Sequence, residues 1–161
     1  MGKTYIAKLL EEKYQAVRIS SDEIRKLVRQ IDASLPTEST LEAYWSYFVT
    51  HYKAPNQFLI LDASIDRRYK LLFPYLEEKK IPYVVIRLQV PHEDVLDRLS
   101  MREGENKEKY VKHMAAWKAD YEAFQAVYPN SFVVKNDKAD QLTLDALYSH
   151  IDAFIPILIR D

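Results

Sequence analysis

The chain has no cysteine and only two glycines, Gly2 and Gly104. Without cysteine there is neither a disulfide framework nor a thiolate metal site. With so little glycine, no second glycine-rich loop can form beyond the one to which Gly2 belongs. No apolar run is long enough to span a bilayer. Lys3, Lys8, Glu11 and Glu12 interrupt the start, so no signal peptide is legible. The expectation is a cytoplasmic protein with no membrane partner. A net charge of −1 offers no basic field for a long polynucleotide. What remains is a 161-residue chain, 48% hydrophobic and 29% charged, which predicts a single globular domain over 1–161.

The pattern alternates helical and strand-like stretches. Residues 4–13 read as a helix, 16–20 as a strand and 22–31 as a second helix. Ser21 or Asp22 is placed to cap that helix, and Ile24, Leu27, Val28 and Ile31 fall on one face. A polar linker leads to a helix over 40–53 with an aromatic stripe of Leu41, Tyr44, Trp45, Phe48 and Tyr52. Phe58–Asp62 is a continuous apolar run closed by a carboxylate, which suits a parallel strand buried on both faces. A helix over 66–79 carries Tyr69, Leu72, Phe73 and Leu76 inward. A strand over 83–88, helices over 92–102 and 106–127, a strand over 132–134 and a helix over 140–155 complete the series. Strands separated by helices predict βαβ units, hence an α/β fold with a parallel sheet.

Four places carry candidate chemistry. Gly2-Lys3-Thr4 runs into a helix, as the second half of G-x-x-x-x-G-K-[ST] does. In a complete loop the lysine reaches the β/γ-phosphates and the hydroxyl ligates Mg²⁺. An ordinary N-terminal lysine is the alternative reading. Asp22, with Arg25 one turn later, could take a proton from an acceptor hydroxyl while Arg25 holds an anionic group. The alternative is a helix cap with an i,i+3 ion pair. Asp62 closes the most apolar strand, where a carboxylate can hold Mg²⁺ directly or through water, or can cap the next helix. Arg98 and Arg102, at i,i+4, place two guanidinium forks on one face. They suit phosphate oxygens or, alternatively, pair with neighbouring acids. His51, His92, His113 and His150 lack metal-ligand spacing. The seam Tyr110, Met114, Trp117, Tyr121 and Phe124 packs within the domain or forms a homodimer face.

Taken in order, these places resemble the small P-loop kinases of the nucleotide-kinase-like and zeta-toxin-like group. The matching stretches are GKTYIAKLLEEKY, RISSDEIRKL, FLILDAS and VIRLQVPHEDVLDRLSMR, spanning residues 2–102. The resemblance implies a three-layer P-loop NTPase-like domain, with helices flanking a mostly parallel sheet. It also implies ATP and Mg²⁺ as cofactors. Gly2, Lys3, Thr4, Arg98 and Arg102 would face the nucleotide, and Thr4 and Asp62 the metal. Asp22, Arg25 and Asp62 would face the acceptor. Lys3, Asp22, Arg98 and Arg102 would be the catalytic set. Residues 98–110 would form a lid region with Gly104 as its hinge, and 32–57 an acceptor-side helical insertion. Lys135-Asn136-Asp137 would border the adenine. In that group the loop follows a central strand, lying between the strand that ends at Asp62 and the one that starts near Tyr83. The resemblance therefore implies that this chain starts within the loop and lacks that first strand.

The expected activity is Mg-assisted phosphoryl transfer from ATP to a small-molecule or nucleotide acceptor. A non-catalytic nucleotide-binding remnant or regulatory domain is the alternative. A nucleic-acid 5′-end kinase is a further one, disfavoured by the charge balance.

Overall fold

A computed structural model describes residues 2–34, 43–44, 47, 58–91, 94–95, 97, 100–101, 107–129, 131–135 and 140–158. The chain divides into two compact units, Lys3–Ala63 and Ser64–Asp161, the latter together with Met1–Gly2. It is an α/β protein whose described strands form two parallel pairs.

In the first unit, α1 (Lys3–Tyr14) buries Ile6, Ala7 and Leu10, whose spacing gives one apolar face. The helix ends at Gln15, which takes φ 49°. The Ala16 N–H then donates back to the Glu11 carbonyl at 3.0 Å, closing the last turn. Glycine is the usual residue for this left-handed position, and a side chain there costs about 1 kcal/mol. Strand β1 (Val17–Ser20) pairs in parallel with β2 (Leu59–Asp62), from Val17 opposite Leu59 to Ser20 opposite Asp62. Tyr14 meets Phe58 edge-on with ring centroids 5.7 Å apart, tying the end of α1 to the start of β2. Because α1 packs on both strands from that end, it runs back along them. Its first turn therefore points toward their carboxyl ends.

The expected burial of the Phe58–Leu61 run on both faces is not met, since Phe58, Leu59, Ile60 and Leu61 are half-buried. Among the described residues the pair consists of these two short strands alone. Helix α2 (Ser21–Ile31) is capped by Ser20, not by Ser21 or Asp22. Ser20 ends β1 with extended dihedrals (φ −99°, ψ 122°), and its Oγ accepts from the Glu23 N–H at 3.4 Å. Ser21 and Asp22 are already helical and cannot take the cap position. Of the predicted face, Val28 is buried and Ile24 half-buried, while Leu27 and Ile31 are exposed.

The second unit opens with a 3₁₀ turn (Ile65–Arg67), followed by α3 (Tyr69–Glu78). The predicted continuous helix over 66–79 is thus broken at Arg68, whose backbone (φ −134°, ψ 1°) is not helical. α3 ends like α1: Lys80 takes φ 53°, and the Ile81 N–H donates to the Leu76 carbonyl at 2.8 Å. β3 (Ile86–Gln89) pairs in parallel with β4 (Phe132–Lys135). Helices α4 (Lys107–Val127) and α5 (Gln141–Leu158) complete the unit, and α5 packs on β4.

The core of this unit combines Leu76, Val134 and Leu147 with an aromatic cluster. Phe73, 2% exposed, stacks on Tyr83 at 4.8 Å and meets Tyr128 edge-on at 4.4 Å. Phe124 joins from α4, 5.4 Å from Tyr69. Burial, then the neighbouring Tyr128 and Glu77, pushes the Tyr83 hydroxyl up to about 12. Tyr83 belongs to this cluster, and β3 starts at Ile86, not at the predicted 83. The helices predicted over 40–53 and 92–102 lie largely outside the described residues. Among the described residues no helix is long and apolar enough to cross a membrane.

Candidate functional site

In the first unit the polar residues gather at the carboxyl ends of β1 and β2. Register puts Ser20 opposite Asp62, and Arg18 opposite Ile60. Alternation along the strands puts Arg18, Ser20, Ile60 and Asp62 on one face. Arg18 and Asp62 are diagonal neighbours on it, within reach of a long side chain.

Arg18 organises this face. Its Nε donates to Glu11 Oε2 at 2.9 Å, its Nη2 to Glu23 Oε1 at 2.7 Å and its Nη1 to Asp62 Oδ2 at 3.3 Å. All three guanidinium nitrogens are therefore engaged, by acids from α1, α2 and β2. The hydrogen bond to the Glu23 carboxylate is the largest influence holding the Arg18 guanidinium above its ordinary pKa. Burial opposes it, and Glu11 adds to it. The Asp62 carboxylate, 4% exposed, is the most enclosed acid of the group. The sequence reading gave Asp62 a metal or acceptor and did not single out Arg18. The available signal was a lone arginine inside the apolar Ala16–Ser20 strand.

Asp22 and Arg25 do come together: Arg25 Nη1 donates to Asp22 Oδ1 at 3.0 Å. The Asp22 side chain is 92% exposed, so it stands in water beside the first turn of α2. The Ser21 hydroxyl, one residue earlier, is buried without a hydrogen-bond partner. Lys3 and Thr4 are exposed in the first turn of α1, where backbone N–H groups lack intrahelical acceptors. Gly2 takes φ 101°, a left-handed value that glycine alone adopts freely. Arg98 and Arg102, most of the 32–57 insertion, much of the 98–110 lid region, Asn136 and Asp137 lie outside the described residues.

Two kinds of chemistry are available here. The first turn of α1 offers N–H donors, a lysine and a hydroxyl to an anion. The carboxyl edge of β2 offers an acid, one oxygen of which already accepts from Arg18. Among the described residues no group of three or more histidine, aspartate or glutamate side chains is arranged to hold a metal ion.

The fold defines the class, an α/β protein with parallel strand pairs. No family model, curated protein or solved structure matches the chain.

Proposed function

We propose that the chain is an ATP-dependent phosphotransferase with a P-loop NTPase-like fold, working in the cytoplasm on a small-molecule or nucleotide acceptor. The observation that carries the reading is Gly2-Lys3-Thr4 opening α1, with Gly2 at φ 101°. A left-handed glycine, then lysine and a hydroxyl residue at a helix N-terminus, is a chemistry suited to phosphate oxygens. The parallel pairing of β1 with β2, and the acid that closes β2, support it further.

In this reading the first-turn N–H groups of α1 and the Lys3 ammonium hold the phosphates. Asp22 takes the proton of the acceptor hydroxyl, and Arg25 orients an anionic acceptor group. Arg98 and Arg102 neutralise charge on the transferring group. The Thr4 hydroxyl and, through water, Asp62 are the oxygen donors that fit Mg²⁺, a hard cation that retains water ligands. Mg²⁺ supplies neutralisation of phosphate charge when bound.

Unfolding of the chain with and without Mg·ATP tests this. Mg·ATP should raise the midpoint by several degrees, and Lys3→Ala should abolish the rise. An unchanged midpoint in the parent chain would refute it. One observation favours the second reading, a domain that binds nucleotide without turnover: Arg18 holds Asp62, and Arg25 holds Asp22. That reading predicts the same Mg·ATP shift, but no ATP consumption by the parent chain.

A further inference from the structure

In the second unit, two nitrogens of a buried cation have no hydrogen-bond partner. Arg87 lies in the middle of β3, opposite Val133 of β4. It is 8% exposed, and its Nε and Nη1 are buried with no hydrogen-bond partner. A guanidinium cannot shed its proton to escape burial, as a lysine can. Its neighbour is the ring of Tyr121 on α4, 5.7 Å from the guanidinium carbon. A ring face attracts the charge but accepts neither N–H in line.

The surroundings repeat the arrangement. Trp117 lies one turn before Tyr121 on the same face of α4, and the Arg67 guanidinium sits 5.3 Å from its ring. Two guanidiniums, one from β3 and one from the 3₁₀ turn, thus stack on one aromatic strip. Burial raises the Tyr121 hydroxyl, while Arg87 draws it down and the Asp66 charge pushes it up. Asp66 therefore lies near enough to act on Tyr121.

We propose that Arg87 anchors an oxyanion site on β3, which takes the phosphate or carboxylate group of a small ligand against the Trp117–Tyr121 strip of α4. The planar fork of a guanidinium matches both groups. Arg67 supplies a second positive charge beside the same strip. The site does not depend on the nucleotide reading, whose lysine belongs to the other unit.

Thermal unfolding of the full chain in sodium phosphate, sodium acetate or sodium chloride at matched ionic strength tests the proposal. Phosphate, acetate or both should raise the midpoint by several degrees over chloride, and the more effective anion identifies the ligand group. The rise should persist in Lys3→Ala, which separates this site from the proposed nucleotide site, and should vanish in Arg87→Met. If neither anion shifts the parent chain, or Arg87→Met retains the full rise, the proposal fails. Should Arg87→Met not fold, the Arg87 Nε–H resonance, assigned by its loss in Arg87→Lys, gives a second readout. A saturable displacement of that resonance by either anion supports the site, and its indifference to both overturns it.

Discussion

Arg18 and Arg87 occupy similar places in the two units. Each lies within a strand of a parallel pair, and each is largely buried, with 8% of the Arg18 side chain and 8% of Arg87 exposed. Their partners differ completely. Arg18 meets carboxylates from three elements. Arg87 meets a tyrosine ring and leaves two nitrogens without acceptors. The difference comes from what the neighbouring elements present. Around β1, the end of α1 supplies Glu11, the first turn of α2 supplies Glu23 and the end of β2 supplies Asp62. Around β3, the adjoining face of α4 supplies Trp117 and Tyr121. A strand arginine is thus a tie between elements in one unit and an open electrostatic demand in the other.

The largest expected effect follows from cutting the tie. Arg18→Met leaves Asp62 buried and negative with no cation, and breaking such a pair costs about 3–5 kcal/mol. That is a large part of the roughly 5–15 kcal/mol that holds a domain folded. Urea unfolding should show it as a lower midpoint, and Asp62→Asn in the same background should recover part of the loss. A change below about 1 kcal/mol in Arg18→Met would mean that the network contributes little. The Arg18 pKa is raised, so its contribution is complete at every pH below the ordinary guanidinium value. The Arg18→Met difference should therefore be the same at pH 7 and pH 8.

The comparison also shows what the sequence could reveal. Periodicity placed α1, α2, α4 and α5 within a few residues of their observed bounds, because Ile6, Leu10, Val28, Phe124 and Leu147 mark their buried sides. The ion pair of Asp22 with Arg25 was legible because i,i+3 spacing fixes it locally. The Arg18 cluster was not, since Asp62 lies 44 residues away and meets Arg18 only through the register of β1 on β2. Arg87 was hidden for the same reason: an arginine in an apolar strand reads alike whether tertiary packing brings it three acids or an aromatic ring. The break at Arg68 escaped notice because nothing in the apolar spacing of Tyr69, Leu72, Phe73 and Leu76 marks where the turn preceding them ends.

Arg87→Met carries the second effect, of opposite sign. Replacing a buried cation, two of whose nitrogens lack acceptors, with an apolar side chain of similar length should stabilise the chain in chloride, by about 1 kcal/mol or more. The same variant should forgo any stabilisation by phosphate or acetate. The two curves should therefore cross as anion is added, Arg87→Met being the more stable without it and the parent with it. Equal or lower stability of Arg87→Met in chloride would show that the Tyr121 ring already satisfies the guanidinium, and the contrast with Arg18 would weaken.

Glu23→Gln gives the smallest effect and decides what makes the Arg18 network strong. Two observations rank its members differently. The Glu23 hydrogen bond is the shortest, at 2.7 Å, and does most to hold the Arg18 proton. Yet the Glu23 side chain is 62% exposed, against 4% for Asp62, so water and salt screen it. Burial should outrank length, because an exposed pair contributes about 0–1 kcal/mol whatever its geometry. Glu23→Gln retains an oxygen acceptor and removes only the charge, so the expected loss is roughly 0.5 kcal/mol, shrinking further in high salt. Asp62→Asn should lose more and respond less to salt, since its site excludes the screening ions. If Glu23→Gln proves the costlier of the two in urea unfolding, the short exposed bond carries the network. Arg18 would then serve chiefly to pin the first turn of α2, and the buried acid at the end of β2 would be incidental to its hold.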